Sequence, residues 1–512
     1  MYFDDNKTEA NHGYRSFRGG VVSITARVIN VSIQIGSALF LARLLSPEDY
    51  GLVSMVAAVT GFAVMLVDLG TRDAIVQRPH ITEGEISALF WITLAIGCGL
   101  ALLVAACGPV IAWFYGEPRL TMITAVSAVT FITAALTCQH YALLRRAMKF
   151  HDLGGIEIVA NLLSAVIAIT IAISGLHYWA LVARPIATTS LLAVGLWVRC
   201  RWVPGKPTMT TGVKEMVRFG LHGAGFTFSD ASGKSVDRVV IGYRNGPQSL
   251  GYYQHALFMY EALLDTWVGT LHAVAVSSLT KLQGDLTEFR RLWSKALSTL
   301  AFYSMPAFGL LSVISPDLVV LLLGPKWSKA GVLLSILALR GIPHTLERTM
   351  SWLHLGAGRS DRWMRYGVVA ACAQVVALFS GLPFGLTGVA TAYVICMFIL
   401  FVPAIAYAGR PLGIGATDVI KVVWRQLAGA MIAVAIGFML RFTLLAHVSG
   451  TVRTAALILV FAGLYLVIVV GVLRVRMPIG VVLQLIRGHL PARFEQIMRT
   501  PSFIDRHKYE HI

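Results

Sequence analysis

The sequence predicts an all-α polytopic membrane protein, with about fourteen transmembrane helices in two six-helix lobes and two further C-terminal helices. Three observations carry this expectation. Of 512 residues, 56% are hydrophobic and only 13% are charged, whereas a soluble domain carries about 25% charged. Apolar runs such as "AALILVFAGLYLVIVVGVL" recur from end to end, and about 20 such residues suffice to span hydrocarbon. The first and second halves of the chain also repeat one another.

The runs place spans at 19–44, 50–71, 86–114, 120–143, 153–174, 177–198, 219–243, 250–280, 296–314, 330–356, 366–381, 386–409, 426–440 and 454–473. Residues 1–18 form a polar N-terminal segment, and the first apolar run is too long for a cleaved signal core. Residues 19–202 make the N-lobe, 203–218 a linker, 219–409 the C-lobe and 410–473 the last two helices. The basic tail, 474–512, either lies flat at the membrane interface through "MPIGVVLQLIRGHLPARFEQIMRT" or is solvated, since Pro491 breaks one long helix.

Orientation follows from the basic residues. Of 43 Lys and Arg, the odd-numbered connections hold Arg43, Arg119, Arg244, Lys326, Lys329, Arg441 and Arg453, while most others fall in the N-terminus, the even-numbered connections and the tail. Both termini are therefore expected in the cytoplasm of a cell with this protein in its inner membrane. The net charge of +17 then reflects contact with an anionic leaflet and calls for no nucleic acid. The six cysteines lack metal-ligand spacing, and neither a metal nor a bound cofactor is expected.

The repeat is visible where the first and seventh helices end. "LLSPEDYGL" holds Pro47 and Gly51; "RNGPQSLGY" holds Pro247 and Gly251, 200 residues later. The same offset matches Asn30 with Asp230, Gln34 with Lys234 and Ser37 with Asp237. "SGLHYWAL" and "FGLTGVAT" repeat Gly175 as Gly385. Six helices per half insert in the same sense, so the expected symmetry is a parallel pseudo-twofold axis along the membrane normal, with a substrate site between the halves.

The stretch "FSDASGKSVDRVVIG" looks like the end of a nucleotide-binding loop. Phe228 stands where such a loop needs glycine, and the flanks are the two ends of a span. Asp230, Lys234, Asp237 and Arg238 instead share one face of the seventh helix. Ser23, Arg27, Asn30, Gln34 and Ser37 form a similar stripe on the first, and Arg340, His344, Glu347 and Arg348 on the tenth. Such groups inside a membrane should face the bundle interior or a wet cavity. The plainer reading is structural: Asp230 and Lys234, four residues apart, neutralise one another and pin helices together. Asp68 and Arg72 have the same spacing and read as a clasp or a gate. Glu261 and Asp265 share a face of the eighth helix, as sites for a coupling cation or as partners of Lys234 and Arg238. Glu157 and Arg184 read as single snorkelling charges, and His222, His272 and His354 as packing residues.

"LARLLSPEDYGLV", "DLGTRDAIVQ", "WFYGEPRL", "LLRRAMKF", "YWALV" and "LLGPKW" together resemble the bacterial polysaccharide transporter family. This is the Wzx-type flippase branch, colanic-acid exporter-like, of the superfamily that also holds MATE exporters and MurJ-type flippases. The resemblance covers roughly residues 15–410. It implies two lobes around a central cavity, alternating access, and an undecaprenyl-pyrophosphate-linked oligosaccharide as cargo. It also implies basic cavity residues for the pyrophosphate, carried here onto Arg27, Lys234 and Arg238, and energy from an H+ or Na+ gradient. Asn30, Gln34, Arg340 and Arg348 complete the candidate substrate-binding set. Asp230, Asp237, Glu261, Asp265, Asp68 and Arg72 are the ion-coupling or gating candidates. Membrane lipids, a polysaccharide polymerase and a chain-length regulator are the expected partners.

Two rivals remain at this stage. A drug or cation antiporter calls for an acid-rich cavity without basic stripes. A membrane glycan polymerase calls for a large extracytoplasmic loop, and the longest one here is "SPDLVVLLLGPKWSK". No enzymatic activity is expected.

Overall fold

The computed structural model describes residues 12–475 apart from 69, 79, 209–211, 214, 218–234, 283 and 357–358. Among them every regular element is helical: α1 (His12–Leu44), α2 (Pro47–Asp68), α3 (Thr71–Gln77), α4 (Glu83–Tyr115), α5 (Arg119–Ser127), α6 (Val129–Arg146), α7 (Phe150–Ile173) and α8 (Trp179–Cys200). There follow α9 (Val236–Thr280), α10 (Leu286–Leu323), α11 (Ser328–Gly356), α12 (Ser360–Gly381), α13 (Gly385–Gly409), α14 (Ala416–Phe442) and α15 (Gly450–Leu466), the last continuing as a π-turn, Val467–Val472.

Ten segments among the described residues are long and apolar enough to cross a membrane, and one of these, Asp361–Leu412, carries both α12 and α13. The protein is an all-α polytopic membrane protein. The fourth predicted span is α5 and α6 joined at Ala128. Of the seventh, 219–234 lies outside the described residues apart from its last turns in α9. That helix breaks at Gly246, whose φ of 78° is open to glycine at little steric cost, and Pro247 restarts it. The helix α3 was not anticipated: Gly70, with φ 66°, turns the chain before it.

Local chemistry fixes the helix starts. Ser46 precedes α2 with Pro47 in its first turn, and Asp49 accepts from the Ser46 backbone N–H at 2.8 Å and from its hydroxyl at 2.7 Å. The Ser46 hydroxyl in turn accepts from the Asp49 backbone N–H at 3.2 Å, a reciprocal cap. Thr82 and Glu85 form the same device at α4.

The helices group into two compact units. The first comprises the described residues up to Tyr260 with Ser315–Leu337 and Val369–Cys396; the second comprises Glu261–Ile314, Ala338–Val368 and the described residues from Met397. The boundary falls inside each of α9 to α13.

Within the first unit the two repeated turns meet. A Cβ added to Gly51 would collide with the backbone carbonyl of Pro247, and one added to Gly251 would collide with that of Pro47. The contact is reciprocal, as at a twofold interface. Close by, the ends of α1 and α10 cap each other. Arg43 donates to the Leu321 and Leu322 carbonyls at 2.6 and 2.8 Å. Lys326 and the Trp327 indole N–H donate to the Arg43 and Ala42 carbonyls, both at 2.8 Å. Cations at helix C-termini also offset the helix dipole. Trp327 is fully buried, 4.1 Å between ring centres from His255 and 5.5 Å from Tyr50. Gly175 and Gly385, the other repeated pair, share a left-handed backbone with φ 78° and 73°.

In the second unit, α14 and α15 dock on α10. Arg441 donates to the Val313 carbonyl at 2.7 Å and Tyr465 to that of Phe302 at 2.9 Å. A Cβ on Gly309 would sit 2.9 Å from Val434 and 3.1 Å from Phe461, so glycine permits close helix approach where lipid gives no hydrophobic drive.

We expect Gly51→Val and Gly251→Val each to lower the thermal transition of the purified protein in detergent, since overpacking costs about 1–3 kcal/mol. Gly99→Ala, where an added Cβ meets nothing within 4 Å, should leave it unchanged. Circular dichroism on heating checks both.

Candidate functional site

The polar stripe on α1 divides in the structure. Arg27 and Gln34 are exposed, whereas Asn30 and Ser37 are buried. Gly154 on α7 allows this packing, since its Cβ would lie 2.7 Å from that of Ala26. Asn161 of α7 donates to the Asn30 side-chain oxygen at 3.0 Å. The Asn30 amide in turn approaches Glu157 at 3.5 Å. Tyr141 of α6 donates to the other Glu157 oxygen at 3.1 Å. Three helices therefore converge on one carboxylate.

This corrects the sequence-based view of Glu157 as a snorkelling charge. Arg184 is corrected likewise: it reaches inward from α8 and donates to Ser37 at 2.6 Å. The signal was present in the sequence, because Glu157 and Asn161 are spaced by four residues and share a face of α7.

Arg72 forms an ion pair with Asp68 at 3.5 Å and donates to Thr137 at 3.2 Å. Its guanidinium lies 5.4 Å from the Tyr141 ring centre, continuing the polar path toward Glu157. On α9, Asp237 accepts from Tyr253 at 2.6 Å, across the Gly246 break. Arg238 is half-buried beside it, and Glu261 and Asp265 are exposed. Asp230 and Lys234, with Ser23, His222 and His272, lie where no side chain is described. His354 is buried among the rings of Trp363 and Tyr407.

In the second unit the stripe on α11 is a cluster. Tyr366 of α12 donates to one Glu347 oxygen at 2.9 Å, and His344 approaches the other at 3.6 Å. Arg340 and Arg348 lie on the same face of α11. Both arginines are half-buried. Among the described residues no group of three or more His, Cys, Asp or Glu could hold a metal ion. The chemistry on offer is reversible: cations and amides for an anionic, hydroxyl-rich ligand, and carboxylates for protons or small cations.

Outside the spans, Arg119 links the connection after α4 to the start of α2, meeting Glu117 and Glu48 at 2.7 Å each. Hydrogen bonding to Arg119 holds the Glu117 carboxyl below its ordinary titration range.

A family profile described as "Polysaccharide biosynthesis protein" matches residues 40–331, more than half of the 512 residues. The chain belongs to the polysaccharide biosynthesis protein family. Among similar proteins, the teichuronic acid biosynthesis protein TuaB of Bacillus subtilis is 28% identical over 345 residues, 66% of this chain and 70% of TuaB. The lipopolysaccharide biosynthesis protein WzxC of Escherichia coli is 22% identical over 374 residues, 72% of this chain and 75% of WzxC. The fold is that of the lipid II flippase MurJ in an inward closed conformation, with a TM-score of 0.68 at 14% identity over 90% of this chain and 99% of MurJ. The family profile spans both repeated turns, Pro47–Gly51 and Pro247–Gly251.

Replacing Glu157 by leucine removes the acceptor of the Asn30 amide N–H and of the Tyr141 hydroxyl, and a stranded buried polar group costs about 1–3 kcal/mol. Glu157→Leu should therefore lower the thermal transition, while Glu157→Gln, which still accepts from Tyr141, should retain most of it. Thermal melts of the two variants in the same detergent decide.

Proposed function

We propose that this protein is a flippase that moves lipid-linked oligosaccharide units across the inner membrane for surface polysaccharide assembly. The observation that carries the reading is a polysaccharide biosynthesis family match on a chain with the fold of a lipid II flippase. A transporter of this kind is no enzyme: its cargo leaves chemically unchanged. Sugars and a diphosphate cannot enter hydrocarbon unaided, so the protein must supply the polar contacts that water would. Arg27, Asn30, Gln34, Lys234, Arg238, Arg340 and Arg348 are assigned to that task. An undecaprenyl-pyrophosphate carrier fits the cations, and its lipid tail can stay in the bilayer.

The working cycle is alternating access between N-lobe (19–202) and C-lobe (219–409) halves about a parallel pseudo-twofold axis. The mutual contact of the two repeated turns supports that axis. Coupling to an H+ or Na+ gradient, with Asp68, Arg72, Asp230, Asp237, Glu261 and Asp265 in coupling or gating roles, belongs to the same proposal. So do a polymerase and a chain-length regulator as partners, and both termini in the cytoplasm.

A charge-assisted bond to phosphate contributes about 1.5–3 kcal/mol, so losing one should slow transport roughly ten- to a hundredfold. In cells, Arg27→Ala and Lys234→Ala should each lower surface polysaccharide while lipid-linked units accumulate on the cytoplasmic face. Lys234→Arg should keep partial output. Normal polymer output from a correctly inserted Arg27→Ala, Lys234→Ala double variant would remove both residues from the role. For the orientation, cysteine at Ser46 should react with an impermeant thiol reagent in intact cells; protection there, with reaction at a cysteine replacing Thr210, inverts the topology.

A further inference from the structure

The segment after α8 is not the free linker that the sequence suggests. Trp202 is buried, its ring centre 6.2 Å from that of Phe90 and 5.2 Å from that of His140. The His140 Nε2 lies 3.1 Å from the Trp202 carbonyl oxygen. Beyond Trp202 the chain runs along α4. Gly205 is held twice: its N–H donates to the Ser87 hydroxyl at 3.0 Å, and its carbonyl accepts from the Trp91 indole N–H at 3.0 Å. The Thr208 N–H donates to the Gly84 carbonyl at 3.3 Å. Gly84, Ser87 and Trp91 are spaced three and four residues apart, so one face of α4 receives this stretch. Pro204 and Pro207 bias the residues before them toward extended backbone, and these bonds run to α4 rather than back to the stretch itself.

The far end is clamped as well. Arg78 donates to the Gly212 carbonyl at 2.8 Å. Arg146 of α6 donates to the Arg78 carbonyl and, at 3.0 Å, to that of Ile75. A Cβ on Gly212 would lie 2.6 Å from a Glu85 oxygen and 2.9 Å from both terminal nitrogens of Arg78. The backbone therefore passes between that acid and that base where a side chain has no room. Val213 and Met216 are buried in the same apolar cluster as Trp202. A free linker leaves its side chains and its backbone to water; this one has apolar anchors at both ends and backbone bonds to the helices between them.

We propose that residues 201–208 and 212–213 form a strap, seated permanently on α3, α4, α6 and α8, that travels with the N-lobe through the transport cycle. The inference rests on the transport reading above for the cycle, while the seating stands on the contacts themselves. Its consequence is a short leash. The whole 203–218 connection, if extended, would span at most about 55 Å, whereas residues 214–218 alone span at most about 17 Å. Whatever displacement the cycle demands between the halves has to be met by that remainder and by the residues that follow it.

A Cβ added to Gly205 meets only the Ser87 hydroxyl oxygen, at 3.8 Å, a separation from which cysteines at the two positions can close a disulfide. The full-length Ser87→Cys, Gly205→Cys double variant should therefore cross-link on mild oxidation; either single variant controls for the native cysteines. In proteoliposomes, movement of undecaprenyl diphosphate carrying a single hexose across the bilayer should run at the same rate with the disulfide closed or reduced. In the native protein, hydrogen exchange should show the Gly205 and Thr208 amides slowed at least roughly a hundredfold against a free peptide. Trp91→Phe, which removes one bond to Gly205, should speed exchange there roughly two- to tenfold. The proposal is overturned if the closed disulfide stops transport and reduction restores it, if the disulfide does not form, or if both amides exchange at the free-peptide rate. Failure of the transport reading looks different: the native protein does not move the probe at all, and cross-linking and exchange then decide the strap by themselves.

Discussion

Two backbone turns pressed against one another hold the first unit together. Gly51 sits on the Pro247 carbonyl and Gly251 on that of Pro47, with no side chain between them. Everything nearby is arranged to keep that approach possible. Ser46 and Asp49 fix the start of α2, and Gly246 with Pro247 restarts α9 at the required angle. Arg43, Lys326 and Trp327 satisfy the carbonyl ends of α1 and α10 in exchange. Helix ends buried without such partners would carry unsatisfied carbonyls, which hydrocarbon does not forgive.

The same rule, that polar groups inside a membrane need internal partners, organises the interior. Glu157 gathers α1, α6 and α7 around one carboxylate. Arg184 reaches Ser37, and Arg72 is shared among Asp68, Thr137 and the face of Tyr141. Glu347 does the equivalent for α11 and α12. At each of these positions a charged group is held by partners on a neighbouring element of the protein.

Much of this was legible in the sequence because it depends on composition and periodicity. Apolar run length placed the helices but not always their limits: the runs at 296–314 and 426–440 lie inside the longer helices Leu286–Leu323 and Ala416–Phe442. The repeated turns announced themselves as Pro and Gly at a fixed offset. The contact between those turns was not legible: an offset states similarity, and only the folded chain brings Gly51 onto Pro247. Glu157 and Arg184 were misjudged because the partners of their charged groups, Asn30, Tyr141 and Ser37, lie on other helices. Only Asn161, four residues after Glu157 on α7, gave a local sign of the network. Arg27 and Gln34 were grouped correctly with Asn30 and Ser37 on one face, yet a stripe wide enough to cover that face has an exposed edge and a packed edge, and helical angle alone does not say which residue takes which.

The meeting of the two turns has a consequence for biogenesis. Ribosomes add roughly 5–20 residues per second. Pro47 and Gly51 thus enter the membrane many seconds before Pro247 and Gly251 are made. Until then the start of α2 has no backbone to rest against, and Ala42 and Arg43 wait longer still for Lys326 and Trp327. A contact so distant along the chain is slow to form and late to reward the chain that makes it. The N-terminal helices must therefore persist as an insertion intermediate, held by their own internal pairs such as Asn30 with Glu157. A nascent chain truncated before residue 247 lacks the backbone on which Gly51 rests.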